Sequence, residues 1–82
     1  MSERPVAEFR AGAVRAAVWR NTRVKDGEEF VVFSAKIEKR FLDGETWRST
    51  SNFTMEDLPK AILAAGKAYE FAMLKWREFQ EE

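Results

Sequence analysis

Two Asp-Gly dipeptides, Asp26-Gly27 and Asp43-Gly44, interrupt stretches rich in Val, Phe and Trp. Both positions of a two-residue hairpin turn must tolerate positive φ, and Asp-Gly is among the strongest signals for one. Two such turns in succession prescribe an antiparallel meander. The strands expected around them are Ala13–Val24, Glu28–Phe41 and Glu45–Phe53. Residues 1–12 read as a lead-in punctuated by Pro5 and Gly12, with Val6–Arg10 a candidate short strand. No internal repeat and no low-complexity tract is present.

The remaining sequence is helical. Asp57 is a candidate N-cap, with Pro59 in the first turn where a missing N–H costs little. Thr54 is a rival cap, with Asp57 three residues on as in a capping box. From Leu58 the residues Leu58, Ile62, Ala65, Tyr69, Ala72, Trp76 and Phe79 recur at steps of three and four, which puts them on one stripe. A helix from Leu58 to Gln80 would be about 34 Å long. The expected fold is therefore an α+β domain over residues 13–82. It is a three- or four-stranded antiparallel meander sheet with one long C-terminal amphipathic helix packed on one face.

One helix covers only one face of a sheet, so the other stays bare. Sending the more apolar sets inward (Val14, Ala16 and Val18; Val31, Phe33, Ala35 and Ile37; Trp47 and Phe53) leaves a mixed outer set. That set is Arg15, Trp19, Phe30, Lys36, Arg40, Arg48, Thr50 and Asn52, with Glu38 among them. Arg20, Arg23 and Lys25 near the first turn extend it. Aromatic rings on an open sheet restore stacking to unpaired bases, at about 1–3 kcal/mol per base. Lys and Arg track the phosphates and release counterions. The candidate nucleic-acid contacts are Trp19 and Phe30 for stacking, and Arg15, Lys36, Arg40 and Arg48 for phosphate. The competing explanation is ordinary: an open sheet must show polar residues to water.

The helix back carries a second candidate surface. Lys60, Ala64, Lys67, Phe71, Leu74 and Glu78 lie opposite the apolar stripe, and Phe71 and Leu74 are neighbours at i, i+3. A homodimer is expected there, its interface built from Ala64, Lys67, Phe71 and Leu74. A protein-interaction module using that surface, without nucleic acid, is the alternative function.

Length and composition bound the rest. Eighty-two residues make one domain, and a domain of this size buries only a little over ~60% of its unfolded surface. Fourteen basic residues balance fourteen acidic ones, so any case for a polyanionic partner rests on how charge is distributed. Residues 1–52 hold ten Lys/Arg against eight Asp/Glu, and residues 53–82 hold four against six. With no Cys and no His, disulfides, thiolate metal sites and the commonest general base are excluded. No glycine-rich phosphate loop, metal-ligand spacing or nucleophile beside a base occurs, so no catalytic residue, metal or cofactor is expected. No apolar run approaches the ~18 residues of a membrane span, and the N-terminus lacks a secretion signal, so the expected setting is the cytoplasm.

Strands followed by one long C-terminal helix, with a basic and aromatic sheet face, resemble the single-stranded-DNA-binding domains of the transcriptional positive-cofactor-four type. The resemblance is architectural and spans roughly Ala13–Gln80. It implies a helix-mediated dimer and a sheet surface that grips unpaired bases, more readily DNA than RNA. That family carries a Lys-Gly-rich segment entering its last strand, whereas this chain has Trp47-Arg48-Ser49-Thr50-Ser51-Asn52. Phe9-Arg10-Ala11-Gly12, Val18-Trp19-Arg20-Asn21, Asp43-Gly44-Glu45-Thr46-Trp47, Asp57-Leu58-Pro59 and Ala68-Tyr69-Glu70-Phe71 are also similar to a group of small, uncharacterised prokaryotic proteins.

Overall fold

The computed structural model describes residues 4–80, with helix side chains described as far as Lys75. Four strands, β1 (Ala7–Ala11), β2 (Val14–Lys25), β3 (Glu28–Asp43) and β4 (Thr46–Thr50), precede one helix, α1 (Leu58–Gln80). The strands form an antiparallel meander in the order β1-β2-β3-β4, with α1 on one face. The domain is thus α+β, and the candidate strand of the lead-in is β1.

Glycine placement sets the three turns. Asp26 and Gly27 both have positive φ, at 55° and 79°, as a type I′ hairpin requires. At the other two turns a glycine takes the first central position, Gly12 at φ 62° and Gly44 at φ 67°. The last turn is therefore Gly44-Glu45, closed by Asp43 opposite Thr46, one residue later than the Asp43-Gly44 turn expected. A Gly-first turn needs positive φ only at the glycine, so Asp43 is spared a left-handed conformation.

The core lies between α1 and the centre of β2. Val14, Ala16 and Val18 meet Ala61, Ala64 and Ala68, and Phe9, Phe33, Ile37, Phe53 and Phe71 pack around them. Val14 and Val18 are the largest side chains buried completely. With each such side chain contributing about 1.5–3 kcal/mol, the hydrophobic stabilisation at the centre is modest.

Alanines bring the helix close to the sheet, and that fixes its rotation. The expected stripe does not face the core: Ile62 is 71% exposed and Tyr69 68%. Trp76 and Phe79, assigned to the same stripe, lie outside the described side chains. The expected dimer surface is corrected with it. Ala64 is buried against β2, and Phe71 packs its ring on Phe9 at 5.9 Å and on Phe33 at 6.4 Å. Only Lys67 and Leu74 of that set remain exposed, so the four do not form one outward surface.

Both expected caps take part at the helix start. The Thr54 amide donates to Asp57 Oδ2 at 3.0 Å, and the Asp57 amide donates to Thr54 Oγ1 at 3.3 Å, the reciprocal bonding of a capping box. Lys39 Nζ on β3 donates to the same Asp57 oxygen at 2.6 Å, tying helix to sheet. The Lys39 hydrogen bond, aided by the Thr54 amide, lowers the Asp57 carboxyl from 3.8 to about 2. A carboxyl depressed on folding stabilises above its unfolded value, and that stabilisation is lost as pH falls through the folded value. The stability gap between wild type and Asp57→Asn is expected to hold constant from neutral pH to about pH 5. It should close between about pH 4 and 2. Urea unfolding at stepped pH measures it, and a gap unchanged at pH 2 would contradict the assignment.

Candidate nucleic-acid interface

Residues opposite each other in an antiparallel pair share a face, so the register sorts every strand. Val14, Ala16 and Val18 lie under the helix, opposite Ala11, Phe9 and Ala7 on one side and Lys39, Ile37 and Ala35 on the other. The other face carries Glu8 and Arg10 of β1, and Arg15, Ala17, Trp19, Asn21, Arg23 and Lys25 of β2. From β3 it carries Glu28, Phe30, Val32, Ser34, Lys36, Glu38, Arg40 and Leu42, and from β4 Trp47 and Ser49. The single helix lies on the opposite side, so no described element of secondary structure covers this face.

Five of the six expected contact residues come together here: Arg15, Trp19, Phe30, Lys36 and Arg40. Arg48 does not. It pairs with Phe41 on the helix side of the sheet, and its Nε forms an ion pair with Asp43 Oδ2 at 3.0 Å. Thr50, opposite Lys39, and Arg20, opposite Phe33, also belong to the helix side. Asn52 lies beyond β4, its amide bonded to Thr50 Oγ1. Trp47 takes the position that Arg48 was expected to fill. Its place opposite Leu42 turns it outward, where it is 59% exposed. The helix packs on β1, β2 and β3, so an indole on β4 gains no burial by turning to the helix side.

Charge on this face is mixed and unevenly available. The Arg15 guanidinium donates to Glu38 Oε2 at 2.9 Å and to Glu8 Oε2 at 3.5 Å. Arg10 stands directly opposite Arg15, a like-charge pair that costs a few tenths of a kcal/mol or more without such counter-charges, roughly up to 1. Arg15 therefore serves the sheet before it serves a ligand. Lys36 is more available, its amine 4.0 Å from Glu38 and its side chain mostly in water. Arg40 lays its guanidinium over the Trp47 ring, 5.2 Å from the centroid. This cation–π pair presents a flat aromatic surface and a positive charge together.

Phe30 is 43% exposed near the first hairpin, and Trp19 is half-buried nearer the centre, opposite Ser34. Ser34 lies four positions from Phe30 along β3, about 14 Å at strand spacing. The rings thus mark a path along the hairpin, with Arg23 opposite Phe30 and Lys25 at its end. Sequence reasoning missed Arg10 because β1 had no fixed place in the sheet. It missed Trp47 because apolar size was taken to mean inward. Counting alternate residues back from a two-residue turn would have found Trp47.

Among the described residues, no group of three or more His, Cys, Asp or Glu side chains is placed to hold a metal ion. No helix among them is long and apolar enough to cross a membrane. Comparison of the chain with family models, with curated proteins and with solved structures finds no match.

Proposed function

We propose that this domain binds single-stranded nucleic acid, DNA in preference to RNA, along the uncovered sheet face with little sequence preference. One observation carries the reading. Trp19, Phe30 and Trp47 share that face with Arg10, Arg23, Lys25, Lys36 and Arg40, in a chain whose net charge is zero. Cations outnumber Glu8, Glu28 and Glu38 there, so a neutral molecule presents one positive side. Unpaired bases stack on the rings while backbone phosphates meet Lys36, Arg40 and the cations of the hairpin. A duplex has no free base faces to offer and gains only the weaker charge term. The preference for DNA comes from the architectural resemblance alone, and the cytoplasm is the setting this reading implies.

Fluorescence anisotropy with labelled oligonucleotides across a salt series tests it. Single strands should bind more tightly than duplex of the same sequence, with affinity falling as salt rises. Trp47→Ala should weaken single-strand binding roughly 5- to 150-fold, the equivalent of one stacked base, and leave the circular dichroism spectrum unchanged. Equal affinity for duplex and single strand, or no binding at low salt, would refute the reading.

A further inference from the structure

We propose that a second copy of this chain docks on the open edge of β3, the two β3 strands pairing antiparallel about a two-fold axis at Val32. This goes beyond nucleic-acid binding and stands without it.

β4 pairs only with Lys39–Asp43, so among the described residues Glu28 to Glu38 has no neighbour on that edge. That is about 37 Å of strand at ~3.4 Å per residue. The turn at Asp26-Gly27 is closed by Lys25 opposite Glu28, so even-numbered β3 residues direct their backbone groups to β2. The Arg40 amide, bonded to the Ala13 carbonyl at 3.1 Å, keeps that parity at the far end. The N–H and C=O groups of Glu29, Val31, Phe33, Ala35 and Ile37 therefore point away from β2, toward the open edge. Such edges are usually blunted by lysine, proline or a bulge. No proline or bulge interrupts this edge, its one lysine, Lys36, lies on the uncovered face, and the pairing with β2 is unbroken.

The helix leaves its matching flank open beside this edge. Tyr69, Ala72 and Met73 line a groove of about 590 Å³ with Phe30, Val31 and Phe33. A second groove continues it past Ala65 and Ala68 to Ala35 and Ile37. Its floor is the unpaired strand, and its wall includes Ala65, Tyr69 and Ala72 of the stripe that sequence periodicity assigned to the core.

A foreign extended peptide would satisfy the strand edge and leave the helix wall in water. A second copy brings its own edge and its own wall in one symmetric operation. Charge selects the register. Pairing centred on Val32 sets Glu28 opposite the partner's Lys36, twice by symmetry, and Val31 opposite the partner's Phe33. Centring on Phe33 would oppose Glu28 to the partner's Glu38, and centring on Val31 would set Glu29 against the partner's Phe33. The Val32 register yields an eight-stranded sheet whose uncovered faces join into one.

Analytical ultracentrifugation to about 100 µM should find a dimer. Tyr69→Lys, at an exposed position, and Val31→Pro, at an N–H that β2 does not use, should each raise the dissociation constant at least about tenfold. Tyr69→Lys decides the matter if the proline variant fails to fold. The chain has no cysteine of its own, so Val32→Cys can form a disulfide only between copies. Two Val32 positions on the axis form a non-hydrogen-bonded pair with Cα atoms about 4.5 Å apart, within disulfide reach. Oxidation should give covalent dimer, whereas Thr22→Cys on β2 should stay reduced. A wild-type monomer at about 100 µM, a dimer untouched by Tyr69→Lys, or a dimer in which Val32→Cys stays reduced would each overturn the proposal. These readouts contain no nucleic acid, so failure here and failure of the binding reading are told apart.

Discussion

Ala64→Glu is expected to unfold the domain, while Leu63→Lys, one residue away, should change its stability by no more than about 0.5 kcal/mol. Ala64 is 1% exposed and sits in the cluster with Ala16 and Val18, where a carboxylate would have neither water nor a cation. A buried charge without a partner costs about 3–5 kcal/mol, and an 82-residue domain is stable by roughly 4–12 kcal/mol. A core this thin belongs at the lower end of that range, where the loss removes most or all of the margin. Leu63 is more than half exposed on the far side of the helix. Urea unfolding followed by circular dichroism distinguishes the two outcomes. An Ala64→Glu protein as stable as wild type would mean that the helix is rotated from the orientation described.

The second large effect is expected on binding. Reversing two cations together, Lys36→Glu with Arg40→Glu, should abolish tight single-strand binding and flatten its salt dependence. For single strands each phosphate contact contributes about 0.7 to the slope of log K against log salt. Losing two lowers the slope by about 1.4, and at about 50 mM salt weakens binding by at least about fiftyfold. Lys67→Glu on the helix makes half that change in net charge at a distant site and should alter affinity little. If both changes weaken binding alike, the field of the whole molecule, not this face, is attracting the strand.

Turn chemistry and capping made much of the fold legible. Asp26-Gly27 located the first long hairpin to the residue, and Thr54, Asp57 and Pro59 located the start of α1. The rotation of the helix was not legible. Periodicity ranks faces by size and hydrophobicity, and it favoured Ile62 and Tyr69 over the smaller Ala61, Ala64 and Ala68. A sheet that already supplies Phe9 and Phe33 leaves little room between layers, so the small residues pack inward and the large ones are displaced to the flank. Five of the six candidate contact residues were legible because alternation along β2 and β3 is unbroken. Arg48 was not, because its face depends on the pairing across the last turn, and composition alone had sent Trp47 inward.

β2 runs past Val18 without β1 beside it, and β3 reaches Lys39 before β4 joins. The hairpin tip from Thr22 to Phe30 is exposed throughout. Local opening there gives up few buried contacts, so its amides should trade hydrogen for deuterium well ahead of those at Val14 to Val18. The molecule thus has an anchored end and a labile end, and Phe30, Arg23 and Lys25 ride on the labile one. Any ligand that engages all three must pay for quieting the tip, which makes deuterium uptake at Thr22 to Lys25, on the strand away from the proposed dimer edge, a direct gauge of engagement.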